Sequence, residues 1–159
     1  MKYISTRNNK TDFSAEQVLN YGLAPDGGLF IPKEIPKFSI DQINALKGKN
    51  YFDIANFILS PFLLDLFDSE TINKIIHEAY SDFDQEIVSV SNIGDNELLN
   101  LFHGPTLAFK DYAMSLLAKI CEYYLKKVDK KLLLIGATSG DTGSAAIQAF
   151  KGIDNISIF

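Results

Sequence analysis

Leu132-Leu133-Leu134-Ile135-Gly136-Ala137-Thr138-Ser139-Gly140-Asp141-Thr142-Gly143-Ser144-Ala145-Ala146 is the stretch whose reading decides the fold. Four apolar residues between polar neighbours form a strand of the kind buried in a parallel sheet. A loop rich in glycine and hydroxyl residues follows. Helix-forming residues then run from Asp141 to Phe150, Gly152 ends them, and Ile156-Ser157-Ile158-Phe159 is a further strand. Working upstream, Lys110 to about Lys126 has helical spacing, with Leu116, Leu117, Ile120, Tyr124 and Leu125 on the face expected to be buried. His103 to Phe109 is a loop and Leu98 to Phe102 a strand. Ile93-Gly94-Asp95-Asn96 marks a turn, preceded by Val88 and Val90 alternating with polar residues. This β-α-β-α-β order predicts an α/β fold with a parallel sheet and right-handed crossovers.

The first half is patterned differently and reads as a helical region. Ser14-Ala15-Glu16-Gln17 and Ser39-Ile40-Asp41-Gln42 are capping boxes, in which a serine hydroxyl and a glutamine side chain satisfy each other's backbone donors. Gly22 suits the end of the first helix. Pro25-Asp26-Gly27-Gly28 is a turn leading to a short strand at Leu29-Phe30-Ile31. Asn50 caps a helix carrying Ile54, Phe57 and Ile58; Ser60-Pro61 reads as the start of another. Asp68 caps a last one, in which Ile72, Ile75, Ile76 and Ala79 fall on one face. The pattern changes near Asp82-Phe83-Asp84. Two domains are therefore expected, residues 1–84 and residues 85–159, the second incomplete. The sequence stops on a bare apolar strand, so it is expected to be part of a longer protein.

Composition narrows the function classes. The 159 residues are 47% hydrophobic and 22% charged, with a formal net charge of -5. An acidic chain without a basic cluster argues against a nucleic-acid partner. Cys121 is the single cysteine, so no internal disulfide and no cysteine-based metal site is expected, which fits a cytoplasmic setting. The N-terminus lacks the apolar core of a secretory signal, and no apolar run reaches membrane-spanning length.

The chemistry is expected in the two loops that precede helices. Gly136 to Gly143 leads into a helix whose first backbone N–H groups are unpaired and carry partial positive charge. This suits a phosphate or carboxylate, with Ser139 and Thr142 as extra donors. Its glycines match neither the dinucleotide nor the Walker spacing, and a turn that only caps the helix explains the loop equally well. The other loop ends at Lys110. A lysine at a helix start normally lies in solvent. Here Leu107, Ala108 and Phe109 lead into it, and the helix dipole disfavours a cation at that end. Both features favour the neutral amine, the form that attacks a carbonyl to make a Schiff base and can later carry protons.

Four blocks carry a family resemblance. Phe102-His103-Gly104-Pro105-Thr106-Leu107-Ala108-Phe109-Lys110-Asp111 resembles the cofactor-lysine motif of the threonine synthases. Ala137-Thr138-Ser139-Gly140-Asp141-Thr142-Gly143-Ser144-Ala145 resembles the same family's substrate loop. Gly22-Leu23-Ala24-Pro25-Asp26-Gly27-Gly28-Leu29-Phe30-Ile31-Pro32 resembles its N-terminal signature, and Tyr3 to Arg7 its opening strand. The blocks fall in family order along nearly the whole sequence.

The resemblance implies a fold-type II enzyme dependent on pyridoxal 5'-phosphate (PLP) and related to the tryptophan synthase β-subunit. Its reaction converts O-phosphohomoserine and water to threonine and phosphate. By motif position, Lys110 would hold PLP as an internal aldimine and then shuttle protons at Cα and Cβ. Ser139, Gly140, Thr142 and Gly143 would bind the substrate's carboxylate. Asp141 would lie near the cofactor's phenolic oxygen, a place where many members carry Asn. The family's loop for the PLP phosphate lies further along than Phe159, so the segment alone is expected to have little or no activity. His103 is expected to order its loop rather than act as a base, and Asp111 to be an acidic residue of the first helical turn. Arg7 is expected at the surface. Two rivals remain: a threonine synthase-like phospho-lyase giving 2-oxobutyrate, and a noncatalytic module holding a phosphometabolite.

Overall fold

The computed structural model describes residues 1–84, 86–138 and 140–159. Gln85, where the second expected domain opens, and Ser139, a candidate site residue, lie outside the described residues. The class is mixed α/β. The chain divides into two units, Met1–Asn73 and Lys74–Phe159.

In the first unit, β1 (Lys2–Ser5) is the centre of a three-stranded antiparallel sheet, with β2 (Phe13–Ser14) and β3 (Phe30–Pro32) on either side. Tyr3 lies opposite both Phe13 and Pro32, and Ser5 opposite Phe30. Pro32 is tolerated because it ends an edge strand. Phe13 packs edge-on against Phe30, with ring centroids 5.0 Å apart. The expected helix signals operate as written. α1 (Ala15–Tyr21) starts where the Gln17 N–H donates to Ser14 Oγ at 3.2 Å and the Ser14 N–H donates to Gln17 Oε1 at 2.9 Å. It closes at Gly22, whose φ of 69° places it in the left-handed region. α2 (Ile40–Asn44) repeats the reciprocal cap with Ser39 and Gln42.

α3 (Tyr51–Leu63) starts at Asn50, which accepts the Asp53 N–H. It corrects one expectation: Ser60-Pro61 does not open a new helix but lies inside this one. The Ser60 hydroxyl turns back to donate to the Asn56 carbonyl at 2.6 Å instead of capping forward. Pro61 has no N–H to offer the carbonyl four residues back, so one bond of the ladder is given up, and the helix ends two residues later. α4 (Ser69–Ala79) follows Asp68, whose carboxylate accepts the Thr71 N–H at 2.8 Å. Ile72, Ile75 and Ile76 are each 0% exposed, so each contributes roughly 1.5–3 kcal/mol by burial.

In the second unit, β4 (Ser89–Ile93) and β5 (Asn96–Asn100) form an antiparallel hairpin, with Gly94 at φ 60° in its turn. The strand before the lysine loop was expected at Leu98–Phe102, in a parallel sheet. It starts two residues earlier and pairs antiparallel instead, because the Ile93–Asn96 turn is short enough to fold it directly onto its predecessor. The loop ending at Lys110 therefore leaves a hairpin. α5 (Lys110–Val128) follows, closed by Asp129 at φ 51°. β6 (Leu132–Leu134) then pairs parallel with β7 (Ile156–Ile158), joined by the crossover helix α6 (Asp141–Phe150), which packs on α5.

Two burial expectations are also corrected. Leu117 of α5 is 40% exposed, because the helix's phase is set by a buried stripe of Asp111, Ala118, Cys121, Tyr124 and Leu125. Leu133 is 57% and Ile135 82% exposed, so the four-residue apolar run is not covered on both faces within the described residues.

Candidate active site

Lys110 is the first residue of α5. It is half-buried, and its Nζ lies 4.3 Å from the centroid of the Phe109 ring. Among the described residues no carboxylate pairs with this amine. Phe109, at the N-cap position, supplies no side-chain cap. The preceding turn is instead built around the next residue, Asp111, which is 1% exposed. The Asp111 carboxylate accepts the Thr106 N–H at 2.8 Å and the Thr106 hydroxyl at 2.6 Å. The Leu107 N–H donates to the Gly104 carbonyl at 3.0 Å, and Leu107 itself has φ 63°, uncommon for a branched residue. A side chain at Gly104 would place its Cβ 2.5 Å from Asp111 Oδ2, so only glycine lets the loop close over the carboxylate.

His103 is tied to the hairpin. Its Nε2 is 2.8 Å from Ser89 Oγ, which also accepts from Asn100 Nδ2 at 3.1 Å. Its carbonyl accepts the Asp84 N–H. Tyr112, two residues beyond Lys110, donates to the Ile87 carbonyl and packs on Phe83, with ring centroids 4.9 Å apart. The start of α5 is thus fastened on both sides.

The second candidate loop ends at α6. Gly140 holds the N-cap position without a side-chain cap. Its carbonyl accepts the Gly143 N–H at 2.9 Å and the Ser144 N–H at 3.2 Å, while the Asp141 and Thr142 N–H groups have no acceptor among the described residues. These two amides and the dipole of a ten-residue helix suit an anion. Gly143 faces the Thr138 side chain so closely that a Cβ would collide with Thr138 Cγ2. Asp141 is exposed and Thr142 half-buried. Gly140, Asp141, Thr142 and Gly143 are therefore brought together at one helix start. Lys110 heads the neighbouring helix, and among the described residues no hydrogen bond or ion pair joins it to them. Cys121 is buried in α5, and burial pushes its thiol up to about 11.

Arg7 is exposed and serves a turn. Its Nη1 donates to the Asp26 carbonyl at 3.1 Å. The Ser5 hydroxyl and the Gly28 N–H both donate to Asp26 Oδ1, which holds that carboxyl below its usual range. The residue that sequence reading undervalued is Asp111. The available signal was the pairing of Thr106 with an acid five positions on, around a glycine.

The family model described as "Threonine synthase N terminus" matches residues 2–80. A threonine synthase from Pseudomonas aeruginosa is 41% identical across 100% of this chain and 34% of its own length. The chain belongs to the threonine synthase family. The crystal structure of a PLP-bound threonine synthase from Brucella melitensis superposes with a TM-score of 0.94 at 43% identity, over 99% of this chain and 34% of that one. A threonine synthase-like 2 protein from Pongo abelii is 35% identical over 99% of this chain and 33% of its own. The chain thus spans about a third of the length of the threonine synthases it matches.

Proposed function

We propose that the full-length protein carrying this chain is a PLP-dependent threonine synthase, converting O-phosphohomoserine and water to threonine and phosphate. The observation that supports the reading is Lys110: the half-buried amine heads α5 without a carboxylate partner among the described residues, inside a stretch that resembles that family's cofactor-lysine motif. The residues present fit PLP. A primary amine is the group that attaches an aldehyde, and the unpaired amides opening α6 suit an anionic substrate. PLP, when bound, supplies an electron sink for chemistry at the substrate's α- and β-carbons. Lys110 would hold it covalently and afterwards move protons. Asp141 would stand near its phenolic oxygen. Ser139, Gly140, Thr142 and Gly143 would bind the substrate carboxylate, with the backbone N–H of Thr142 donating.

In this reading residues 1–84 form the N-terminal domain, and 85–159 open the catalytic domain. The segment alone would have little or no activity. A cytoplasmic setting, with no nucleic-acid partner, accords with a lone, buried cysteine and a net charge of -5. No helix among the described residues is long and apolar enough to cross a membrane.

The test supplies O-phosphohomoserine to the full-length protein and measures products. Threonine and phosphate in equal amounts, both lost in Lys110→Ala, are expected. A second reading, a phospho-lyase, is favoured by the threonine synthase-like 2 relative, and 2-oxobutyrate in place of threonine would select it. Unchanged turnover in Lys110→Ala would overturn both, and a full-length protein that binds the substrate without turning it over would favour a binding module.

A further inference from the structure

We infer that Asp111 and Thr106 form a clamp that positions the Lys110 amine for covalent attachment of its cofactor; this rests on the functional reading above. Three observations converge. First, the Asp111 carboxylate is buried and both its oxygens are used by one residue, Thr106, through a backbone N–H and a hydroxyl. A buried carboxylate needs such donors, and losing one leaves an unsatisfied acceptor. Second, the loop is wrapped around that carboxylate. Gly104 lies against it with no room for a side chain, and Leu107 is held at φ 63° between hydrogen bonds at Gly104 and Asp111. A branched residue keeps such a conformation only where its surroundings impose it. Third, Lys110 is bracketed by this ring. Its neighbour Asp111 is locked from the side chain, and the Asp111 N–H donates to the Ala108 carbonyl at 3.0 Å. The helix start therefore cannot rotate without breaking the clamp, and the direction in which Lys110 leaves the backbone is set.

The Thr106 hydroxyl, which could otherwise serve a ligand, is already committed to Asp111. Thr106 and Asp111 are thus positioning residues, acting on the cofactor through the geometry of Lys110. Reactivity of an anchored amine depends steeply on placement, since an error of about 1 Å costs on the order of a hundredfold.

The experiment uses the full-length apo protein and the variants Thr106→Val, Thr106→Ser and Asp111→Asn. PLP is added, borohydride is applied at timed intervals, and modified Lys110 is counted by peptide mass spectrometry. Amide hydrogen exchange over residues 104–109 is followed in parallel without PLP. Thr106→Val keeps the shape and removes the donor, so attachment is expected to slow about tenfold or more while exchange in the loop rises. Thr106→Ser restores the donor and should match the parent in both. Asp111→Asn gives a smaller loss of about threefold, because the amide oxygen still accepts the Thr106 N–H while its nitrogen forces the hydroxyl to turn. It also decides the matter if Thr106→Val does not fold. Attachment in Thr106→Val, or failing that in Asp111→Asn, at the parent's rate would overturn the inference while leaving the functional reading intact, whether or not exchange changes. A parent protein that gains no PLP on Lys110 would overturn both.

Discussion

His103 Nε2 meets Ser89 Oγ at 2.8 Å, joining the loop that precedes α5 to the first strand of the hairpin. The same hydroxyl accepts from Asn100, so the contact ties both strands of the hairpin to the lysine loop. This engagement gives His103 a structural task. Ser89→Ala should cost about 1 kcal/mol, a typical hydrogen bond, read from the denaturant midpoint. His103→Gln, which can keep a partner for Ser89, should retain most of the parent's turnover. A loss of several orders of magnitude in His103→Gln with the midpoint unchanged would make His103 a proton carrier instead.

Gly28→Ala should destabilise the first unit. Its φ is unremarkable; the constraint is space. An added Cβ would collide with Ser5 Oγ and stand 3.1 Å from both the Arg7 nitrogen and Asp26 Oδ1. Ser5 donates to Asp26, and Asp26 also accepts the Gly28 N–H, so no flexible end can swing aside. Overpacking of this kind costs about 1–3 kcal/mol. Calorimetry or denaturant titration checks it, and a midpoint within error of the parent would contradict the packing described.

How much of this was legible beforehand follows from the range of each interaction. Both capping boxes, the Asp68 cap and the Ile72, Ile75 and Ile76 face were readable because they depend on residues three or four apart. α6 falls where its glycine-bounded pattern put it. The failures involve partners or competition. Ser60-Pro61 looks like a start signal, but the hydroxyl had an equally good acceptor behind it at Asn56. Strand content in Leu98–Phe102 was readable, whereas its antiparallel partner was not drawn from the turn beside it. In the candidate site, the α6 amides came from a glycine-rich loop running into a helix start, and the role of Lys110 from motif position. The enclosure of Asp111 by Thr106 and Gly104 depends on a left-handed Leu107 that no propensity favours.

Cys121 should behave as a masked thiol. Burial raises its pKa from 9.0 to about 11. The folded value lies above the unfolded one, so the neutral thiol's contribution to stability is complete below about 9 and is lost as pH rises through about 11. Alkylation at neutral pH should therefore be slow in the native protein and fast in denaturant, as followed by intact mass. Equal rates in the two conditions would show that the α5 face carrying Cys121 opens readily.

Glu122 should contribute to the acid limb of stability. Its partial burial acts to raise its pKa, but hydrogen bonds from Lys126 at 2.5 Å and Lys119 at 2.9 Å outweigh that and leave it lowered from 4.5. A depressed folded value means that the contribution is present above the unfolded value of 4.5 and drains away as pH falls through the lower folded one. Lys119 also reaches Glu78, 3.7 Å away, whose carboxylate accepts the Tyr123 hydroxyl, so the pair is part of a network joining α5 to the end of α4. Glu122→Gln should flatten the fall in the denaturant midpoint on acidification, and added salt should shrink the difference between variant and parent, because Lys126 is exposed and screened. Parallel pH profiles for Glu122→Gln and the parent would show that the carboxylate gains nothing from its lysines on folding.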